Sequence, residues 1–367
     1  MQDEAPIAID ATLRHAIAHD LHAKGRTGEA ATFYRAALAL SPERSDSWAN
    51  LGLAVLAEGR ADEAAACARE ALRLDPENPE MHNNLGIALH ALNAMAEAGN
   101  HFFGALRVSP DHPAATLNLG VVRQSLGHAA EAEVLYRRAR AQGADLAMAG
   151  NNLALALAEQ GFLPEAEAEC RAALTARPGY AEAEVNLAML LLMRGAMADA
   201  WDYYEARWRI EPLRSTSRHS DTARWTGAEP VEGRTILLHA EQGFGDTLQF
   251  CRYAPLLADR GARVILAVPP ALTGLCETLR GGAQIVSTDE ALPAFDLHCP
   301  LMSLPRAFRT TLRSIPAEVP YLTASAEAIS AFDAMLPRGL RVGLVWLAER
   351  GRINRTRPRS IAAGPCH

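Results

Sequence analysis

Five asparagines stand at one spacing: Asn50, Asn84, Asn118, Asn152 and Asn186, each 34 residues after the last. Each comes directly before a leucine and a small residue, as in Asn50-Leu51-Gly52 and Asn152-Leu153-Ala154. Asparagine is a poor choice inside a helix, so five in register need a reason. A side-chain amide offers both a donor and an acceptor. A column of such amides can hold the backbone of an extended peptide whatever its side chains. The competing reading is that each amide bridges to its neighbour and only stiffens the array. A second group lies further on. The apolar run Thr235-Ile236-Leu237-Leu238-His239 reads as a strand and is followed by Glu241, Gln242 and the turn Gly243-Phe244-Gly245-Asp246. Glycines let a chain turn sharply and bring a helix start close to a ligand. Asp246 then opens a helix, where the dipole favours a carboxylate. His239, Glu241 and Gln242 fall at the carboxyl end of the strand, the edge where parallel sheets bind ligands. Each is a candidate acceptor contact, with a structural role as the alternative.

The elements that must carry the amides come from an internal repeat. Pro42, Pro76, Pro110 and Pro178 are separated by multiples of 34, with Ala144 in the skipped slot. Leu51-Gly52, Leu85-Gly86 and Leu119-Gly120 keep the same step, as do Ala30, Ala64, Ala98, Ala132, Ala166 and Ala200. Tyr34, Phe102, Tyr136 and Tyr204 fill an aromatic slot. The pattern predicts pairs of antiparallel helices. The small residues let the two helices of a pair approach, the aromatic fills the gap toward the next repeat, and proline closes the unit. This 34-residue pattern resembles the tetratricopeptide repeat, at about six copies over residues 11–214. The resemblance implies an α-solenoid with an extended concave surface, toward which the asparagines would point. The amide column is similar to the asparagine ladder of the O-GlcNAc transferase superhelix. Here it starts at the second repeat, because Ala16 occupies the slot in the first. The sixth repeat is aromatic-rich, and Trp201, Tyr203 and Trp208 are expected to form a seam with the domain after it.

Past residue 214 the period stops. A connector over 215–233 leads to strand and helix alternation over 234–346, which predicts a parallel, Rossmann-like sheet. Expected strands are Thr235–His239, Arg263–Val268, Gln284–Ser287, Phe295–Cys299 and Val342–Trp346, with helices over 247–260, 270–279 and 326–336. The run Arg224-Trp225-Thr226-Gly227, the block Leu238 to Thr247, the stretch Asp296 to Leu301 and the strand Val342 to Trp346 resemble bacterial tetratricopeptide-glycosyltransferase fusions and the heptosyltransferases. That resemblance covers about residues 222–346 and implies the N-terminal half of a two-lobed GT-B glycosyltransferase fold. It makes Asp246 the candidate general base for the acceptor hydroxyl, against the simpler reading of a helix cap.

The likeness fails after Trp346. A Gly-Asn-Pro-like turn is expected there, and the chain has Leu347-Ala348-Glu349-Arg350-Gly351. Residues 347–367 form a short, arginine-rich tail, too little for a second lobe, so the chain reads as C-terminally truncated. A nucleotide-sugar donor is expected only with a complete second lobe, and no other cofactor is expected. The 367 residues carry a net charge of −7, against a nucleic-acid footprint. No apolar run is long enough to span a membrane, and the segment Met1–Asp10 carries acids where a secretory leader carries lysine or arginine. The six scattered cysteines fit reduced thiols in the cytoplasm and no metal site. Neighbouring His298 and Cys299 would point to opposite faces of a strand. The function expected is protein or peptide binding beside an incomplete glycosyltransferase-like domain. The alternative is sugar transfer to a protein or glycan acceptor.

Overall fold

The computed structural model describes residues 10–216 and 222–335. The expected strand at Val342–Trp346, the arginine tail and Cys366 lie outside the described residues. Two compact units divide between residues 177 and 178.

The first unit is a stack of helix pairs. They are α1 (Ala11–Ala23) with α2 (Thr27–Leu38), α3 (Ser45–Ala57) with α4 (Ala61–Leu74), and α5 (Pro79–Ala91) with α6 (Met95–Val108). Then come α7 (Pro113–Ser125) with α8 (Ala129–Ala141), and α9 (Leu146–Glu159) with α10 (Leu163–Ala176). Four of these helices, α1, α5, α7 and α9, begin at a side-chain cap. Asp10 accepts from the Leu13 N–H and Asp145 from the Met148 N–H, both at 2.8 Å. Each pair turns on a left-handed residue, Gly25, Gly59, Gly127 or Gly161, and Asn93 takes the slot in the third pair with φ 62°.

The repeated alanines Ala30, Ala64, Ala98, Ala132 and Ala166 are fully buried between helices. Gly86 and Gly120 show why the first-helix slot is small. A Cβ on Gly86 would lie 2.5 Å from Phe102 Cε1, and one on Gly120 would lie 2.6 Å from Tyr136 Cε1. At these two repeats the aromatic slot packs on the glycine of its own pair, and Phe102 shares a core cluster with Leu119 and Val122 of the next pair. Successive odd helices, α1 to α9, pack directly against one another. The even helices stand further apart, so within this unit the stack tightens along the odd-helix side.

The second unit joins the sixth pair to the sheet. It contains α11 (Ala181–Met193), α12 (Met197–Tyr204), a 3-10 turn (Glu205–Arg209) and α13 (Leu213–Thr216). Next come β1 (Thr235–His239), α14 (Phe244–Phe250), α15 (Ala254–Ala258), β2 (Arg263–Val268), α16 (Thr273–Cys276), β3 (Gln284–Ser287), β4 (Leu297–Pro300), α17 (Leu304–Ala307) and α18 (Ala326–Met335). The strands form one parallel sheet in the order β3-β2-β1-β4. The four described strands fall where alternation places them. The expected helix over 247–260 starts earlier, at Phe244, and is broken at Cys251–Tyr253, where Pro255 removes a backbone donor from the next turn.

One sheet face, with Ile236, Leu238, Val264, Leu266 and Cys299, packs on Tyr253, Leu257 and Leu304. The other buries Leu237, Ile265, Ala267 and Val286 against Leu292 and Phe295. Trp225 is 1% exposed and donates its indole N–H to the Glu229 carbonyl. Beside it Gly227 takes φ +98°, and a Cβ there would meet the Ala307 carbonyl oxygen at 2.1 Å.

Candidate functional site

In the first unit, Asn50, Asn84, Asn118 and Asn152 lie on α3, α5, α7 and α9, all half-buried. Asn118 donates from Nδ2 to Asn83 Oδ1 of the preceding odd helix at 2.9 Å. At that rung the bridging reading describes the geometry. Asn50, Asn84 and Asn152 make no side-chain hydrogen bond among the described residues. Each keeps a donor and an acceptor available on the odd-helix side. Asn186 lies half-buried on α11 in the second unit. The column in the first unit is thus mixed, with one internal bridge and three half-buried amides without a side-chain hydrogen bond among the described residues.

In the second unit a cleft of about 390 Å³ opens at the carboxyl ends of the strands. His239 lines it from the end of β1, Glu241 and Gln242 from just beyond, Ala267 from β2, Pro269 from just beyond it, and Thr288 and Asp289 from beyond β3. Trp208 and Leu213 line it from the helical segment. His239 Nε2 lies 3.2 Å from His298 Nδ1, and the two rings stack. Residue 298 faces this side of the sheet, whereas Cys299 is buried on the other. The Tyr204 hydroxyl donates to Met302 Sδ at 3.9 Å.

Glu241, expected as an acceptor contact, is committed inside the protein. Its side chain is 2% exposed and accepts from Arg207 Nη2 at 2.9 and 3.0 Å. It also accepts from the Met302 N–H at 3.0 Å. Arg207 further donates to Glu205 and to Ser303 Oγ, and Arg224 binds Glu205 from the other side. Burial pushes the Glu241 carboxyl up, while Arg207 pulls it back. Burial also works against the Arg207 charge, but Glu241 and Glu205 outweigh it and raise its pKa. Glu205 is held below the usual carboxylate range, since Arg207 and Arg224 overcome its own burial. The structural alternative for Glu241 is the one its geometry favours.

The Gly-Phe-Gly-Asp turn is plainer than its composition implied. Gly243 has φ −71°, and a Cβ on Gly245 would meet open space. Neither glycine is demanded by backbone or packing. Asp246 Oδ2 accepts from the Gly243 N–H at 3.2 Å, so its carboxylate caps its own helix, and it is not among the residues lining the cleft. The expected seam is present. The Trp201 indole donates to the Thr310 carbonyl at 2.8 Å, Tyr204 packs on Met302 with Tyr203 beside it, and the Arg207 guanidinium sits 5.1 Å from the Trp208 ring. No group of three or more potential metal ligands occurs among the described residues. The five cysteines among them are buried free thiols.

Sequence reading missed Asn83 as the partner of Asn118, and Arg207 as the hub of the ion network. An Asn-Asn pair at 83–84, matched by Asn151-Asn152, was the available signal for the first. Arg207 carried none, because its partners Glu241 and Ser303 lie far along the chain.

The tetratricopeptide-repeat family model matches residues 15–67, 50–103 and 151–208. The chain carries tetratricopeptide repeats. Among solved structures, the anaphase-promoting complex hetero-tetramer Cut9-Hcn1 is similar at 17% identity and a TM-score of 0.53. That match covers 57% of this chain and 42% of the other, so the chain spans less than half the length of that relative. A thermophilic tetratricopeptide protein of Thermus thermophilus, TTC0263, aligns at 24% identity, covering 50% of this chain and 99% of that one, with a TM-score of 0.45. PilW, a type IV pilus biogenesis factor, aligns at 22% identity, covering 56% and 97%, with a TM-score of 0.49. No curated protein matches the chain. At 17% identity the likeness to Cut9-Hcn1 speaks to the fold alone, a helical solenoid. No described helix is long and apolar enough to cross a membrane.

Proposed function

We propose that the chain is a protein-binding module whose repeats hold an extended peptide segment along the odd-helix side of the first unit. The observation that carries this is the set of three half-buried amides, Asn50, Asn84 and Asn152, in register and without internal partners among the described residues. Backbone amides and carbonyls of a peptide complement them directly. Replacing all three by alanine is expected to weaken peptide capture at least tenfold in fluorescence polarisation, with the circular dichroism melt unchanged. Undiminished capture by a folded triple variant removes the proposal.

A second reading rests on the carboxyl-edge cleft. Its position and its lining by His239, Gln242, Thr288 and Asp289 support an acceptor-side half of a glycosyltransferase. Asp246 would need to leave its cap to serve as base. Isothermal titration with UDP- and ADP-linked sugars tests this reading, and silence with every donor ends it.

A further inference from the structure

The amide column is one line of a broader stripe, and the stripe has a chemistry of its own. On α3, α5, α7 and α9 the positions four before, three after and seven after each asparagine share its face. Three residues on stand Leu53, Ile87, Val121 and Leu155. The first three are half-buried and Leu155 is 37% exposed. They form an aliphatic line parallel to the amides. The flanking positions hold Asp46, Glu80, Ala114 and Met148 on one side, and Ala57, Ala91, Ser125 and Glu159 on the other. The stripe therefore contains three carboxylates and no lysine or arginine. A terminal carboxylate or a phosphate finds no cation within it.

Resting on the peptide-binding reading above, we propose a more specific ligand. It is an extended segment in polyproline II conformation, with an aliphatic residue at every third position and basic residues between. The period follows from geometry. Neighbouring odd helices are packed in contact, and packed helices lie about 8–10 Å apart. A polyproline II strand advances about 9 Å in three residues and returns the side chain to the same side. A β-strand covers a similar distance in three residues but turns the third side chain away. Only the former sets one aliphatic side chain per repeat against Leu53, Ile87, Val121 and Leu155 while its backbone faces the amides. The charge follows from the stripe: exposed Glu80 and Glu159 attract lysine or arginine with the oxygens left beside their contacts to His112 and Gln124, and Asp46 adds to them although it already pairs with Arg44.

The test uses the full chain and four labelled twelve-residue peptides, amidated at the C-terminus, in fluorescence polarisation. They are Leu-Pro-Lys repeats, Ser-Pro-Lys repeats, Leu-Pro-Glu repeats, and a lysine-containing peptide with leucine at every second position. The Leu-Pro-Lys peptide is expected to bind at least tenfold tighter than each of the others. Leu53→Ser with Leu155→Ser should reduce it to the level of the Ser-Pro-Lys peptide. Glu80→Lys with Glu159→Lys, at exposed positions that leave the core intact, should reverse the preference toward the glutamate peptide. Equal binding of all four, lost on replacing the three amides, overturns the period and charge assignment while leaving peptide capture standing. Binding of none overturns both. A concentration-dependent dimer abolished by the leucine substitutions overturns it in favour of a second copy of the chain.

Discussion

Two residues are held tightly enough for their substitution to report the packing. A Cβ on Gly86 would press into the Phe102 ring at 2.5 Å, where three ring atoms lie within 2.9 Å. Overpacking of this kind costs about 1–3 kcal/mol, against about 1 kcal/mol gained in helix propensity over glycine. Gly86→Ala is therefore expected to lower the urea midpoint, and Phe102→Leu in the same chain should recover part of the loss. Gly52→Ala is the control, because its nearest neighbour is the Ala64 carbonyl at 3.3 Å. A Gly86→Ala chain as stable as that control would show that the ring moves aside freely. Arg207 is the second residue. Removing one member of a buried ion pair costs about 3–5 kcal/mol, since the other charge stays buried. Arg207→Met should therefore destabilise strongly, and Glu241→Gln added to it should restore much of the loss. The pH sign follows from Glu241, whose carboxyl burial pushes up. Without Arg207 only the Met302 N–H still lowers it against the larger effect of burial, so the folded state binds a proton more readily than the unfolded chain. Stability of Arg207→Met should then be highest below the ordinary carboxylate pKa and fall as pH rises through the raised value. A variant equally unstable at pH 5 and pH 8 would place the cost in lost packing instead.

Elements are legible in the sequence to the degree that their signals are local. The 34-residue period places every helix pair because alanine, glycine and proline act within a few residues of themselves. The four described strands are visible as short apolar runs. What stays hidden depends on contacts distant in sequence. The aromatic slot is only half legible, since spacing alone does not say that Phe102 also leans on Gly86 of its own pair. The left-handed slot shared by Gly25, Gly59, Asn93, Gly127 and Gly161 is present in the letters, with asparagine in the one place where glycine is missing. The helix after Phe244 breaks because Pro255 sits where a continuous helix needs a donor. Candidate site residues fare less evenly. The amides can be found by period, but Asn83 as the internal partner of Asn118 cannot. Glu241 falls at the strand end as its position implies, yet its commitment to Arg207 depends on a residue 34 positions earlier that no motif marks.

At the scale of the molecule, repeat grammar and compactness divide the chain differently. The repeat pattern runs to residue 214, whereas the compact units divide after residue 177. The reason is chemical. The sixth pair gives its polar and aromatic side chains to the sheet unit: Trp201 to the Thr310 carbonyl, Tyr204 to Met302, and Arg207 to Glu241 and Ser303. A fragment of residues 215–335 would leave Glu241 buried without its cation and Met302 without its aromatic cover. An unpaired buried charge alone costs several kcal/mol, a large share of the about 5–15 kcal/mol that holds a typical domain together. Residues 178–335 should therefore unfold cooperatively on heating, followed by tryptophan fluorescence, while residues 215–335 should show no cooperative transition. If the shorter fragment melts at the same temperature and with the same sharpness as the longer one, the ion network and the aromatic seam are ornaments on a sheet that stands by itself. If only the longer one melts, the sixth repeat is part of the sheet domain's core, and the helical array open to a partner ends with α10.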